Sequence, residues 1–396
     1  MPSLPNDPDE WWQLYILSFR HRVEAVICDA VYDKPEFISL DPSLKNRFLT
    51  DARAIVAVQS KKSEDFAAIY RLLRANGIKP LVVKGISCRI LWRNPDARPS
   101  GDEDLLLRPD ELNACLAVLS ENGYEISSDS PEITCFSPLS GLSIELHSSL
   151  FPTDSPYFSC FNRCFEDVFD SCVPFTAAET EFFMPEPTLF LLYLFLHALK
   201  HFVHSGVGIR QLCDISLFAG RFGKDIDWQK VKREVTELGS EKWYADVLAV
   251  LRDRLALDAE AAGIPADHFP KSADLCPLLD DITSGAVFGA YDMARHHSGN
   301  ITLGAVESGT KGHTALHTLF PPLSRLRGRY PYLKKYPFLL PAAWASRLTK
   351  YRRESKLSGQ ALSQSLAIGK SRQKLLQLYG ITEKNKKNKD AIRRFR

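Results

Sequence analysis

The feature that most restricts this chain is a change of hydrophobic period between residues 76 and 107. Upstream, segments such as Trp11–Phe19 and Ser63–Ala75 carry apolar residues at spacings of three and four, which predicts helices. Gly77 marks the end of the second segment, as a helix C-cap does. Pro80–Lys84 is then a short β-rich run ending at Gly85, and Ile86–Trp92 returns to a helical pattern. A loop with two prolines follows over Asn94–Gly101, and Asp102–Leu107 reads as a second strand. Pro109–Asn122 reads as a helix, and Tyr124–Ser127, Glu132–Phe136 and Leu142–His147 as strands. Residues 63–150 are therefore expected to form one compact α/β unit. Helical patterns resume at Pro187–Val203, Arg210–Phe222, Trp228–Leu238 and Glu241–Leu255. The expected class is α+β, divided into a helical region (1–62), the α/β core (63–150), a helical domain (151–346) and a C-terminal segment (347–396).

Charge divides along the same lines. The net charge of +2 looks neutral and argues against a strongly basic nucleic-acid coat. It hides a split: residues 347–396 hold fifteen Lys and Arg against three acids, a net +12, so residues 1–346 are −10. The stretch from Lys384 is polar and reads as a solubilising, disordered end; its charge also suits RNA or an anionic membrane surface. No run reaches the roughly 18 apolar residues that span a bilayer. The start of the chain lacks the basic residues of a signal peptide. Nine cysteines without a CxxC pair read as reduced thiols, and the expected location is the cytoplasm.

The chemistry concentrates in Leu81-Val-Val-Lys-Gly-Ile-Ser87, Arg98, Gly101-Asp-Glu-Asp104 and Glu145. In a strand, residues two apart share a face, so Asp102 and Asp104 project together and Glu103 points away. Glu145 completes a trio if its strand lies beside the first. Converging carboxylates repel one another and become tolerable around divalent cations. Oxygen ligands and substrate phosphates suit Mg2+, with Mn2+ as its substitute. Two such ions about 3.5–4 Å apart can clamp the attacking and leaving oxygens of a phosphoryl displacement. Gly85, at a strand-to-helix turn, allows close backbone approach to a phosphate, Ser87 adds a hydroxyl, and Lys84 and Arg98 add positive charge.

In this order the motifs resemble the nucleotidyltransferase superfamily, with its DNA polymerase β-like minimal fold. More narrowly, the chain is similar to a bacterial family known as NTP transferase family 5. That family is marked by a strand ending in Lys-Gly, here Lys84-Gly85, then Arg98, Gly101-Asp102-Glu103-Asp104 and an acid-Leu-His strand, here Glu145-Leu146-His147. It also tends to carry two His four apart and a nearby Asp, here His197, His201 and Asp214. The likeness extends over residues 50–350 and is most specific at 81–107. It implies a minimal nucleotidyltransferase core with a small mixed sheet, flanked by N-terminal helices and a larger C-terminal helical region. It further implies Asp102, Asp104 and Glu145 as metal ligands, with Glu145 as ligand or base. Lys84, Gly85, Ser87, Arg98 and Gly101 would contact the nucleotide.

The expected activity is Mg2+-dependent transfer of a nucleoside monophosphate from an NTP to an acceptor hydroxyl, on a sugar, peptide, protein or RNA end. Two alternatives stand beside it: a toxin-like nucleotidyltransferase acting on tRNA, and a non-catalytic interaction protein that keeps the fold. In the last case the acids would not converge. His197, Lys200 and His201 are accessory candidates for phosphate contact, against the plainer reading of satisfied core histidines. Asp214 reads as the partner of Arg210 one helical turn away.

Overall fold

A computed structural model describes residues 4–127, 133–285, 295, 298–299, 302–304, 306, 320–321, 323–326, 330–358 and 362–381. The basic stretch from Lys384, with its expected RNA or membrane contacts, lies outside them.

The N-terminal helices are α1 (Pro8–His21), α2 (Glu24–Val31), the single turn α3 (Pro35–Ile38) and α4 (Pro42–Ala75). Asp7 caps α1 and Asp41 caps α4, each accepting a backbone N–H, and each helix opens with proline. The 34 residues of α4 run unbroken across positions 62 and 63 and serve two apolar cores. Its first turns pack Leu44 and Phe48 against Trp11, Tyr15 and Phe37. Its later turns bury Phe66, Tyr70 and Leu73 in the main core.

The sheet follows: β1 (Leu81–Val82), the one-turn α5 (Ile86–Arg89), β2 (Glu103–Leu106), α6 (Leu112–Glu121), β3 (Glu125–Ser127), β4 (Ile133–Phe136) and β5 (Ser143–His147). The strand order is β1-β2-β5-β4-β3. Only β2 and β5 run parallel; the other pairs are antiparallel. This is the small mixed sheet and the α+β class that the sequence and its family likeness imply. The parallel register sets Asp104 beside Glu145 and Leu106 beside His147.

A second sheet was not anticipated. It is a hairpin of β6 (Cys172–Ala177) and β7 (Thr180–Pro185). Its turn residues, Ala178 and Glu179, have φ of 42° and 53°. Such turns are usually announced by Asn or Gly, so the sequence carried no turn signal here. Phe182 stacks on Phe66, and Tyr70 ties the hairpin to the core: its hydroxyl donates to Pro80 O (2.8 Å) and accepts from Phe183 N (3.1 Å).

Beyond the hairpin lie α7 (Pro187–His204), α8 (Ile209–Phe222), α9 (Trp228–Glu237), α10 (Glu241–Arg254) and α11 (Cys276–Gly285). Glu186 caps α7 by accepting from Thr188 N and Leu189 N. Helix α7 is apolar on nearly every face because it is surrounded by protein. No helix among the described residues is long and apolar enough to cross a membrane. All nine cysteines are free thiols.

The loop between α5 and β2 is tied to α8 by a buried ion pair. Arg98 Nε donates to Asp214 Oδ1 at 2.7 Å and Arg98 Nη2 to Oδ2 at 2.5 Å, while Trp92 Nε1 adds a bond of 2.9 Å. Arg210, the partner expected for Asp214, instead donates to Pro99 O (2.5 Å). Removing one charge of such a pair leaves the other uncompensated. Asp214→Asn is expected to cost about 3–5 kcal/mol by urea denaturation. The double variant Arg98→Met, Asp214→Asn should cost less than the single one, because no buried charge is left unpaired.

Candidate functional site

Four elements meet at the carboxylates. The chain leaves β1 with Val83 N bonded to Asp104 O (3.1 Å), which aims Lys84 at the end of β2. Lys84 Nζ lies 3.4 Å from Asp102 Oδ1 and 3.1 Å from Asp104 Oδ2. From β5, His147 Nε2 sits 3.0 Å from Asp104 Oδ1 and 3.7 Å from Glu145 Oε2. Glu145 and His147 are two apart on one strand, hence on one face. Asp104, Glu145 and His147 each offer a ligand atom within 4.8 Å of the others. Asp102 lies just before β2 and joins this group through Lys84. Two carboxylates and an imidazole at this spacing, with an ammonium drawn against the acids, fit a divalent cation.

Glu103 does point away from Asp102 and Asp104, and it has work of its own. Its carboxylate accepts from Ile86 N (2.6 Å) and pairs with Arg89 Nη2 (2.8 Å), both in the turn after Gly85. Gly85 has φ +78°, and a Cβ there would fall 2.0 Å from Glu103 Oε2. Glycine is thus demanded at this position by a protein carboxylate, which also takes the N–H that the family likeness assigns to a phosphate. Helix α5 is a single turn, too short to add much dipole. Ser87 Oγ is fully buried and finds no hydrogen-bond partner among the described residues. Gly101 is exposed, in the bend before β2. Arg98 is committed to Asp214, as described above.

On the other flank, α7 presents Tyr193, His197 and His201 at successive turns. Tyr193 Oη and His197 Nδ1 are 3.2 Å apart, and the Nε2 atoms of His197 and His201 are 2.9 Å apart. Burial, then each other's proximity or that of Lys84, holds both histidines well below the ordinary imidazole range. Lys200, between them in sequence, is half-buried. A cavity of about 1080 Å3 opens elsewhere, lined by Ser63, Arg89, Asp96, Phe175 and Phe222. Its wall includes Ile86 and Arg89 of the turn after Gly85 and none of Lys84, Asp102, Asp104, Glu145 or His147.

The acids differ in their electrostatics. Burial opposes a charge on Asp104, but Lys84 and His147 outweigh it and hold the carboxyl well below its usual range. Burial likewise opposes the charge of Lys84, and Asp104 and Asp102 more than restore it. For Glu145 the balance falls the other way: burial first, then Asp102 and Asp104, outweigh the pull of Lys84 and His147 and push it up to about 7.

A small mixed sheet that gathers carboxylates from two neighbouring strands is the arrangement of a nucleotidyltransferase core. A family model described as an uncharacterised nucleotidyltransferase matches residues 7–256, and the chain belongs to that family. The match takes in the N-terminal helices and stops at the end of α10, so it begins and ends earlier than the 50–350 likeness. No curated protein and no solved structure matches the chain.

In the sequence His147 stands out only within the Glu-Leu-His motif, and its spacing from Glu145 is the signal that it shares a face with that acid. Tyr193 gave none, since it sits inside an apolar helix. Two outcomes follow. Gly85→Ala should lower stability by about 2 kcal/mol more than Gly77→Ala, which shares the positive φ but has open space around its Cβ. The comparison is read from denaturation midpoints. In the metal-free protein, folding retains a proton on Glu145 between 4.5 and about 7. The stability that this proton supplies is complete below that window and is lost as pH rises through it. Glu145→Gln should flatten the pH dependence of the unfolding midpoint there.

Proposed function

We propose that the protein is a divalent-cation-dependent nucleotidyltransferase that moves a nucleoside monophosphate from an NTP to an acceptor hydroxyl. The acceptor oxygen attacks the α-phosphorus, the bond to the β-phosphate oxygen breaks, and pyrophosphate leaves. The observation that carries the reading is the β2–β5 register, which sets Asp104 beside Glu145 while Lys84 bridges Asp104 to Asp102.

Asp102 and Asp104 would hold the metal, Mg2+ or Mn2+, and Glu145 is the third carboxylate. When bound, such ions neutralise the phosphates and polarise the reacting oxygens. Glu145 holds metal or takes the proton of the acceptor hydroxyl; a carboxyl near 7 is well matched to that second task at neutral pH. Lys84 neutralises the acids in the protein alone. A cation among them would compete for the same carboxylates and free the ammonium for the triphosphate. Gly101 borders the same acids. Gly85 and Arg98 act one layer back, keeping the turn and the loop that carry Lys84 and Asp102 in place, and Ser87 sets a hydroxyl, unpaired among the described residues, in the buried turn after Gly85. The burial of His197 and His201, beside Lys84, favours neutral imidazoles that can accept or donate a hydrogen bond.

Convergence of the acids also speaks against a fold kept for non-catalytic use, since scattered acids were the mark of that alternative.

The test uses the full chain with Mg2+ and NTPs labelled at the α-phosphate. Wild type should transfer label, and chelation should stop it. Asp102→Asn combined with Asp104→Asn should cut transfer by about a hundredfold or more and weaken metal-dependent NTP binding. Unchanged binding in that variant would remove the assignment of these residues.

A further inference from the structure

We propose that His147 is an inner-sphere nitrogen ligand, which makes the position among Asp104, Glu145 and His147 a site for a first-row transition-metal cation in preference to Mg2+. The inference rests on the nucleotidyl-transfer reading only in placing a metal at these carboxylates.

Three observations support it. The first is aim: the nitrogen facing the acids is His147 Nε2, at 3.0 Å from Asp104 Oδ1 and 3.7 Å from Glu145 Oε2. Donors at adjacent corners of an octahedron with bonds of about 2.1 Å lie about 3.0 Å apart, and those of a tetrahedron about 3.4 Å. The His147–Asp104 pair therefore already stands at ligand-to-ligand spacing, the His147–Glu145 pair is a few tenths of an ångström wider, and all three donors lie within 4.8 Å of one another. The second is rigidity. Glu145 and His147 share a face of β5, Asp104 is on β2, and the two strands are hydrogen-bonded in register over four residue pairs. Ligands on paired strands hold their geometry better than ligands on loops. The third is donor type. Mg2+ gives up its water shell reluctantly and takes oxygen ligands, so an imidazole among its ligands is a poor match. Imidazole binds more strongly along the first transition row, with Mn2+ at the weak end. A site made only for Mg2+ has no use for a half-buried imidazole aimed between two carboxylates.

The competing role for His147 is a hydrogen bond that orients Asp104 from outside the metal shell. Pulsed electron paramagnetic resonance of Mn2+ bound to the full chain separates the two, since a directly bonded imidazole nitrogen couples to the electron spin far more strongly than a remote one. We expect a strong 14N coupling in the wild type. Labelling the histidines with 15N should replace it by the 15N pattern, and His147→Gln should abolish it. By calorimetry, that variant should lose about tenfold in Mn2+ affinity while its Mg2+ affinity changes by less than about threefold. Absence of nitrogen coupling in the wild type, or coupling that persists in His147→Gln, overturns the proposal. The wild-type and isotope measurements do not depend on the variant folding. Transfer from labelled NTP without nitrogen coupling would defeat this proposal alone. Nitrogen coupling without transfer from any NTP would defeat the transferase reading and leave the ligand assignment standing.

Discussion

Glu103 is a carboxylate buried in the core, one residue from Asp102 and one from Asp104, and the site depends on how that charge is met. Burial and both neighbours push its pKa up, while Arg89 and the Ile86 N–H pull it down. A paired buried charge adds little net stability, because desolvation consumes most of what the attraction returns. Its value here is geometric. The pair fixes the turn at Gly85, and that turn sets where Lys84 leaves β1. Because Glu103 takes one face, the alternation of the strand obliges Asp102 and Asp104 to take the opposite one, where Asp104 lies buried. One short strand thus anchors itself on one face and displays two acids on the other.

The remaining elements hold charge in a place where it would otherwise not persist. Strand β5 lies against β2 in parallel, so Glu145 and His147 arrive on the same side as Asp104. Lys84 and His147 keep Asp104 ionised despite burial, and the uncompensated part of the repulsion collects on Glu145. Helix α7 closes the side with Tyr193, His197 and His201, whose ring atoms satisfy one another in a row. The Arg98–Asp214 pair fastens the loop before β2 to α8, and apolar side chains of the sheet and the helices pack in a single core. The protein therefore builds an acidic cluster whose own members are only partly neutralised, which is the condition for taking up a cation.

Much of this was legible from residue patterns. The change of period located the sheet, and the Lys-Gly, Asp-x-Asp and Glu-Leu-His motifs pointed to the family and to side chains that the fold brings together. The readings that shifted did so for identifiable reasons. The β6–β7 hairpin turns through two non-glycine residues at positive φ, so its turn carries no composition cue. Arg98 looked like a free cation for phosphate, but its partner Asp214 is 116 positions away in sequence. Gly85 was read as leaving room for a phosphate; what approaches it is the carboxylate of Glu103, which no spacing rule could supply.

Local pattern was enough to settle the α+β class, the order of the elements from α4 to β5 and which acids share a face, because helix and strand periods are properties of neighbouring residues. It also separated the acidic body from the basic terminal segment, which is arithmetic on the chain. Tertiary structure alone decided which strand lies next to β2, that His147 joins Asp104 and Glu145, and that Glu145 rather than Asp104 carries the raised pKa. Those outcomes depend on register, burial and through-space charge between residues about forty positions apart. Such contacts are set by how the sheet and α7 pack together, and nothing in the immediate sequence around any one of these residues encodes them.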